Sequence, residues 1–89
     1  MRSIYSEEYQ AAISQLIEAR KAADLTQEQV ATAWGRDQSI IAKIESCVRR
    51  LDIAEFVALA IIVDADPHAI IQDLRIRLST VYPKIDSVR

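Results

Sequence analysis

The sequence predicts an all-α protein, and three observations carry that expectation. One glycine and two prolines in 89 residues leave few positions that would interrupt a helix. Apolar residues recur at intervals of three and four, the spacing of one helix face. Residues suited to capping (Ser6, Thr26, Asp37, Asp52 and Asp66) stand just ahead of those periodic runs. A chain of this length makes one small domain with a modest core.

Each helix can be justified in turn. Ser6 is expected to cap the first, with Glu7 and Glu8 near the positive end of its dipole. Tyr9, Ile13, Leu16 and Ile17 form its inward stripe, which Arg20 continues, and Leu25 enters the core after it. Thr26 and Gln29 make a T-x-x-Q capping box for a second helix over about 27–34, with Val30, Ala31 and Trp34 on one face. Gly35 ends that helix, because the residue just past a helix often needs positive φ. Asp37 is the expected N-cap of a third helix over about 38–46. Its Ile41 and Ile44 face inward; Gln38, Ser39, Ala42 and Lys43 face the other way, with Ile40 pointing partly outward.

Asp52 and Glu55 repeat the capping-box spacing as D-x-x-E and open a fourth helix. Ile53, Phe56, Val57, Ala60 and Val63 make a broad stripe there, so this helix is expected to be the most buried. Leu59, Ile61 and Ile62 carry hydrophobicity beyond one face, as core or as a surface for a partner. Asp66 followed by Pro67 gives an N-cap with proline at N1 for a fifth helix. Its Ile70, Ile71, Leu74 and Leu78 face inward or into a subunit contact. Pro83 stops any helix at or before Tyr82. For residues 75–89 a strand pairing with a second copy and a frayed basic tail compete with a helix to about Thr80, which is the expectation.

Two short helices joined by one glycine turn form the pattern of a helix-turn-helix, in which a supporting helix presents a second to the DNA major groove. ARKAADLTQEQVA, DQSIIAKIES and RRLD stand in register along the chain. With these segments it resembles the Cro and phage-repressor type of domain, the xenobiotic-response-element-type (XRE) regulators, over about residues 16–71. The resemblance implies a compact five-helix bundle, a lambda-repressor-like DNA-binding domain over 1–78, with a C-terminal tail over 79–89. It also implies a dimeric transcription regulator. Carried over by position, Gln38, Ser39 and Lys43 would contact bases, with Ile40 and Ala42 close by. Gln27 would contact phosphate, and Arg20 would pair with Glu45. Arg36, Arg49 and Arg50 are further candidates for phosphate contacts. The chain departs from the family at Asp24 and Cys47, where glycine is usual. Asp tolerates the left-handed region better than most residues. Cysteine at 47 implies either a strained backbone or a helix that ends differently.

The formal net charge of −2 argues against indiscriminate nucleic-acid binding. Its distribution is more favourable: Arg36, Lys43, Arg49 and Arg50 surround the third helix against Asp37 and Glu45. Residues 51–74 are acidic, and 75–89 turn basic again, with Arg75, Arg77, Lys84 and Arg89 against Asp86. A locally basic face on an acidic body can still bind DNA. One cysteine excludes an internal disulfide and fits a reducing cytoplasm; one Cys with one His supplies too few ligands for structural zinc. Arg49 and Arg50 would favour a Cys47 thiolate, which raises a redox role, although a single Cys without a resolving partner is more often an incidental small side chain. No apolar run is long enough for a membrane helix, and 1–10 lack a secretory core. No paired carboxylates, nucleophile–base set or phosphate loop is visible, and His68 reads as a surface residue, so neither an enzyme nor a cofactor is expected. The expectation is a cytoplasmic, homodimeric repressor or autoregulator on a palindromic operator in double-stranded DNA. The alternative is a protein-interaction module, an antitoxin or anti-regulator, that keeps the fold but binds another protein.

Overall fold

Capping decides where the helices begin, and left-handed residues decide where they stop. The computed structural model describes residues 6–85. It has five helices: α1 (Glu7–Ala22), α2 (Gln27–Trp34), α3 (Gln38–Glu45), α4 (Ile53–Ile62) and α5 (Pro67–Ser79). Among the described residues there is no strand. Ser6 caps α1 by accepting from the Tyr9 N–H, and Asp66 caps α5 by accepting from the His68 N–H. Thr26 with Gln29, and Asp52 with Glu55, form complete reciprocal capping boxes at α2 and α4. Asp37 takes the extended N-cap conformation at α3, but its side chain makes no capping hydrogen bond. The helix is thus started by position rather than by that carboxylate.

Four helices close on one pattern, in which two successive N–H groups past the end return to carbonyls of the last turn. At α1 the Asp24 N–H donates to Lys21 O and the Leu25 N–H to Arg20 O, each at 3.0 Å. At α3 the Cys47 N–H donates to Ile44 O at 3.0 Å and the Val48 N–H to Lys43 O at 2.9 Å. Gly35 serves α2, and Asp64 serves α4. All four turn residues have positive φ: Asp24 59°, Gly35 76°, Cys47 62° and Asp64 57°. Of the two routes open to Cys47, the structure takes the strained one, and the family's helix ending survives without its glycine.

The core is drawn from every helix: Ile13 and Leu16, Val30 and Ala31, Ile41 and Ile44, Leu59, Ala60 and Val63, and Ile70 are all buried. α2 packs chiefly on α3, and α1 on α5. Burial of Ile41 and Ile44 contributes roughly 1.5–3 kcal/mol for each side chain and fixes the rotation of α3 about its axis. α4 departs from expectation. Its inward face runs through Phe56, Leu59, Ala60 and Val63, rotated toward Leu59. Ile53, Val57 and Ile61, at i, i+4 and i+8, are exposed at 80%, 40% and 72%. Supporting helices lie on only one side of α4, so an all-round apolar sequence leaves one stripe uncovered. On α5, Ile70 is buried, Leu74 and Leu78 are half-buried, and Ile71 and His68 are exposed. α5 runs to Ser79 with Thr80 as its C-cap, as expected, and a turn follows at Val81–Tyr82 rather than a strand. Tail residues Asp86 and Arg89 lie outside the described residues.

Exposed Asp64 carries backbone strain with no compensating burial. Asp64→Gly should therefore raise unfolding stability by roughly 0.5–1 kcal/mol, the left-handed cost relieved less the extra entropy of an unfolded glycine. A urea midpoint that falls in this variant would contradict that account.

Candidate nucleic-acid interface

With Ile41 and Ile44 turned inward, α3 presents Gln38, Ser39 and Lys43 to solvent; all three are exposed, while Ala42 and Ile40 are half-covered. This face is neither packed against the body nor shielded by another part of the described chain. Behind it runs a line of polar bonds. Arg20 of α1 donates from Nε to Glu45 Oε2 at 2.7 Å and from Nη2 to Glu45 Oε1 at 2.9 Å. Its Nη1 donates to Leu25 O at 2.8 Å. Gln27 donates from Nε2 to Glu45 Oε1 at 2.9 Å, and Gln38 donates from Nε2 to Gln27 Oε1 at 2.7 Å. The Arg20 and Glu45 side chains are only 12% and 14% exposed. The line therefore starts in a nearly desolvated ion pair and ends on the amide at the outer face of α3.

A second cluster flanks that face. Glu55 of α4 accepts from Arg49 Nη2 at 2.8 Å and Nη1 at 3.2 Å, and lies 3.7 Å from Arg36 Nη1. The Arg36 guanidinium also stacks over Trp34, 4.2 Å from the ring centroid, in cation–π geometry. The hydrogen bonds from Arg49, reinforced by the Asp52 N–H, hold the Glu55 carboxyl down at about 2, and the same pairing raises Arg49 above its ordinary value. Two of the arginines expected at phosphates are thus tied to one carboxylate. Arg50 is exposed and joins no ion pair among the described residues.

Sequence reasoning missed Glu55 as the hub of this cluster, reading it only as a capping residue. Six residues from Arg49 and across a loop, it has no helical spacing that would signal the pair. The structure favours the incidental reading of Cys47 over the redox one: the residue is buried, and burial pushes its thiol pKa up. The neighbouring Arg49 charge is already engaged by Glu55. Among the described residues no group of three His, Cys, Asp or Glu side chains could hold a metal ion, and no helix is long and apolar enough to cross a membrane.

Two eight-residue helices across a left-handed turn, the second with an open polar face, define a helix-turn-helix regulator. The chain belongs to the XRE family. It is similar to an XRE-family like protein from Pseudomonas syringae pv. tomato str. DC3000, with 40% identity and a TM-score of 0.73 over 79% of this chain and 85% of that one. No protein-family model and no curated protein matches it.

Removing one partner of the Arg20–Glu45 pair leaves a poorly solvated charge. Arg20→Met should cost about 3 kcal/mol, and the double variant Arg20→Met/Glu45→Met should recover much of that loss. Strict additivity in the double-mutant cycle would dismiss the coupling. Glu55 sets a pH dependence. Its folded pKa lies below the ordinary 4.5, so its contribution is complete above 4.5 and is lost as the pH falls from there toward 2. Acid unfolding followed by circular dichroism should be less steep through that window in Glu55→Gln than in the parent.

Proposed function

We propose that the protein is a sequence-specific DNA-binding transcription regulator that reads the major groove with α3. The observation carrying this is the open Gln38–Ser39–Lys43 face, whose first side chain is already held by Gln27. A glutamine amide has two N–H donors and a carbonyl; Gln27 takes one donor, and the remaining N–H and Oε1 match adenine N7 and N6. Lys43 suits guanine O6 or N7, and Ser39 can serve either base. Gln27 keeps one amide hydrogen for a phosphate at the N-terminus of α2, where the dipole favours anions. Arg36, Arg49 and Arg50 complete the backbone contacts. One module of this size buries too little surface for useful specificity, so a homodimer reading two half-sites about 34 Å apart is the working form. Repression or autoregulation from a palindromic operator, in the cytoplasm, is the role that fits it.

A second reading is favoured by one observation, the uncovered Ile53, Val57 and Ile61 stripe on α4. A protein partner could cover it, as in an antitoxin or anti-regulator, and so could the second copy of the homodimer.

Genomic fragments captured by the purified protein should converge on one short palindrome when sequenced. On that site Lys43→Ala should cost about 1–3 kcal/mol and relax specificity at a single base position. Binding should weaken steeply with added salt. Capture of no common sequence, together with a salt-insensitive protein complex, would overturn the regulator reading in favour of the second.

A further inference from the structure

We infer that Glu55 is a positioning residue that clamps Arg36 and Arg49, one from each side of α3, into a fixed pair of phosphate-facing guanidiniums. The inference rests on the DNA-binding reading above and adds to it the source of discrimination at the backbone. Arg36 lies in the turn before α3 and Arg49 in the loop after it, so one carboxylate from α4 ties together both ends of the recognition helix. Glu55 is itself held: its backbone N–H donates to Asp52 Oδ1 at 2.7 Å, and its Oε1 accepts from the Asp52 N–H at 3.1 Å. Its side chain is 14% exposed, whereas those of Arg36 and Arg49 are 39% and 33% exposed. Each guanidinium carries five N–H donors; Arg49 Nη1 also donates to Arg50 O at 3.4 Å, and the partly exposed side chains leave further donors for a phosphate. Trp34 supports the face of Arg36 and removes another of its orientations.

Two cations sharing one anion attract phosphate less strongly than two free arginines. They also sample fewer positions, so the cluster suits a duplex whose phosphates fall where the guanidiniums already are. Glu55 thus exchanges general attraction for discrimination between backbones.

Four proteins test this: the parent, Glu55→Gln, the same change with Arg49→Ala, and Glu18→Gln. Glutamine at 55 can keep the capping box. Glu18 is exposed on α1, so its variant adds the same charge away from the cluster. Binding to a random-sequence duplex and to the captured operator is measured between about 50 and 200 mM salt. Glu55→Gln should steepen the log–log salt slope on random duplex by roughly 1 per freed guanidinium. It should also tighten that binding several-fold at the lower salt and shrink the operator-to-random ratio. Arg49→Ala should remove part of the gain, and Glu18→Gln should reproduce none of it. An unchanged slope in Glu55→Gln, or an equal shift in Glu18→Gln, overturns the clamp. Retention on heparin, a polyanion without bases, separates the two readings. If the parent binds no duplex, the DNA reading fails; later elution of Glu55→Gln than Glu18→Gln still supports the clamp, and co-elution overturns it.

Discussion

The Glu45 carboxylate is the point at which α1, α2 and α3 are bound to one another. It accepts two bonds from Arg20 and one from Gln27, and Arg20 reaches on to the Leu25 carbonyl in the turn between α1 and α2. Helices of eight residues do not hold themselves together in water, so α2 and α3 depend on what lies behind them. Val30, Ile41 and Ile44, the largest fully buried side chains among the described residues, anchor both helices in the core. Apolar packing alone would tolerate small slides of one helix over another, and a bidentate pair of fixed geometry does not. The desolvation cost offsets much of its attraction, so its value lies in the position it gives Gln38 more than in net stability.

The helix ends show how a chain with a single glycine turns four times. Hydrogen bonds returning to the last turn require a left-handed residue, and Asp24, Cys47 and Asp64 adopt that conformation despite their Cβ atoms. At Cys47 the side chain is buried against the core, and apolar burial offsets strain. Asp24 and Asp64 are exposed, and Asp is among the residues that tolerate this region best. Of the two readings open for the cysteine, a redox device and an incidental small side chain, its burial in the core at a helix end favours the second. Its surroundings, unreadable from local charge, decide its chemistry.

Helix starts were legible because a cap and its partner lie three residues apart in the same segment, as in Thr26 with Gln29 and Asp52 with Glu55. The inward faces of α1, α2 and α3 were legible for the same reason: Ile13, Val30, Ile41 and Ile44 sit in stripes bordered by polar residues. α4 was not. Nearly all of its residues are apolar, and periodicity cannot choose a face when polar residues do not mark the other one. The rotation that exposes Ile53, Val57 and Ile61 is set by where α2 and α5 lie, which is tertiary information. The outward placing of Gln38, Ser39 and Lys43 follows from the buried isoleucines beside them. The bond from Gln38 to Gln27 crosses eleven residues and a turn, and the pairing of Glu55 with both flanking arginines crosses a loop. Neither spacing has a local signature.

For the proposed DNA-binding role, a chain of net charge −2 cannot rely on a broad positive field. Lys43 and Arg50 are the cations around α3 left without an ion pair among the described residues, and Arg36 and Arg49 share a carboxylate. Under the proposed reading, weak attraction with fixed geometry would hold a duplex only where several contacts form together. In that role nonspecific affinity, which normally sequesters a regulator on the excess of competing sites, would be small from the outset. In the proposed role the two polar clusters would act on the two kinds of contact: Arg20, Glu45 and Gln27 hold the Gln38 amide, offered to a base, while Glu55 holds the Arg36 and Arg49 guanidiniums, offered to the backbone. Discrimination in such a protein comes from restricting its own side chains before the DNA arrives, so that little ordering entropy is left to oppose binding at the right site.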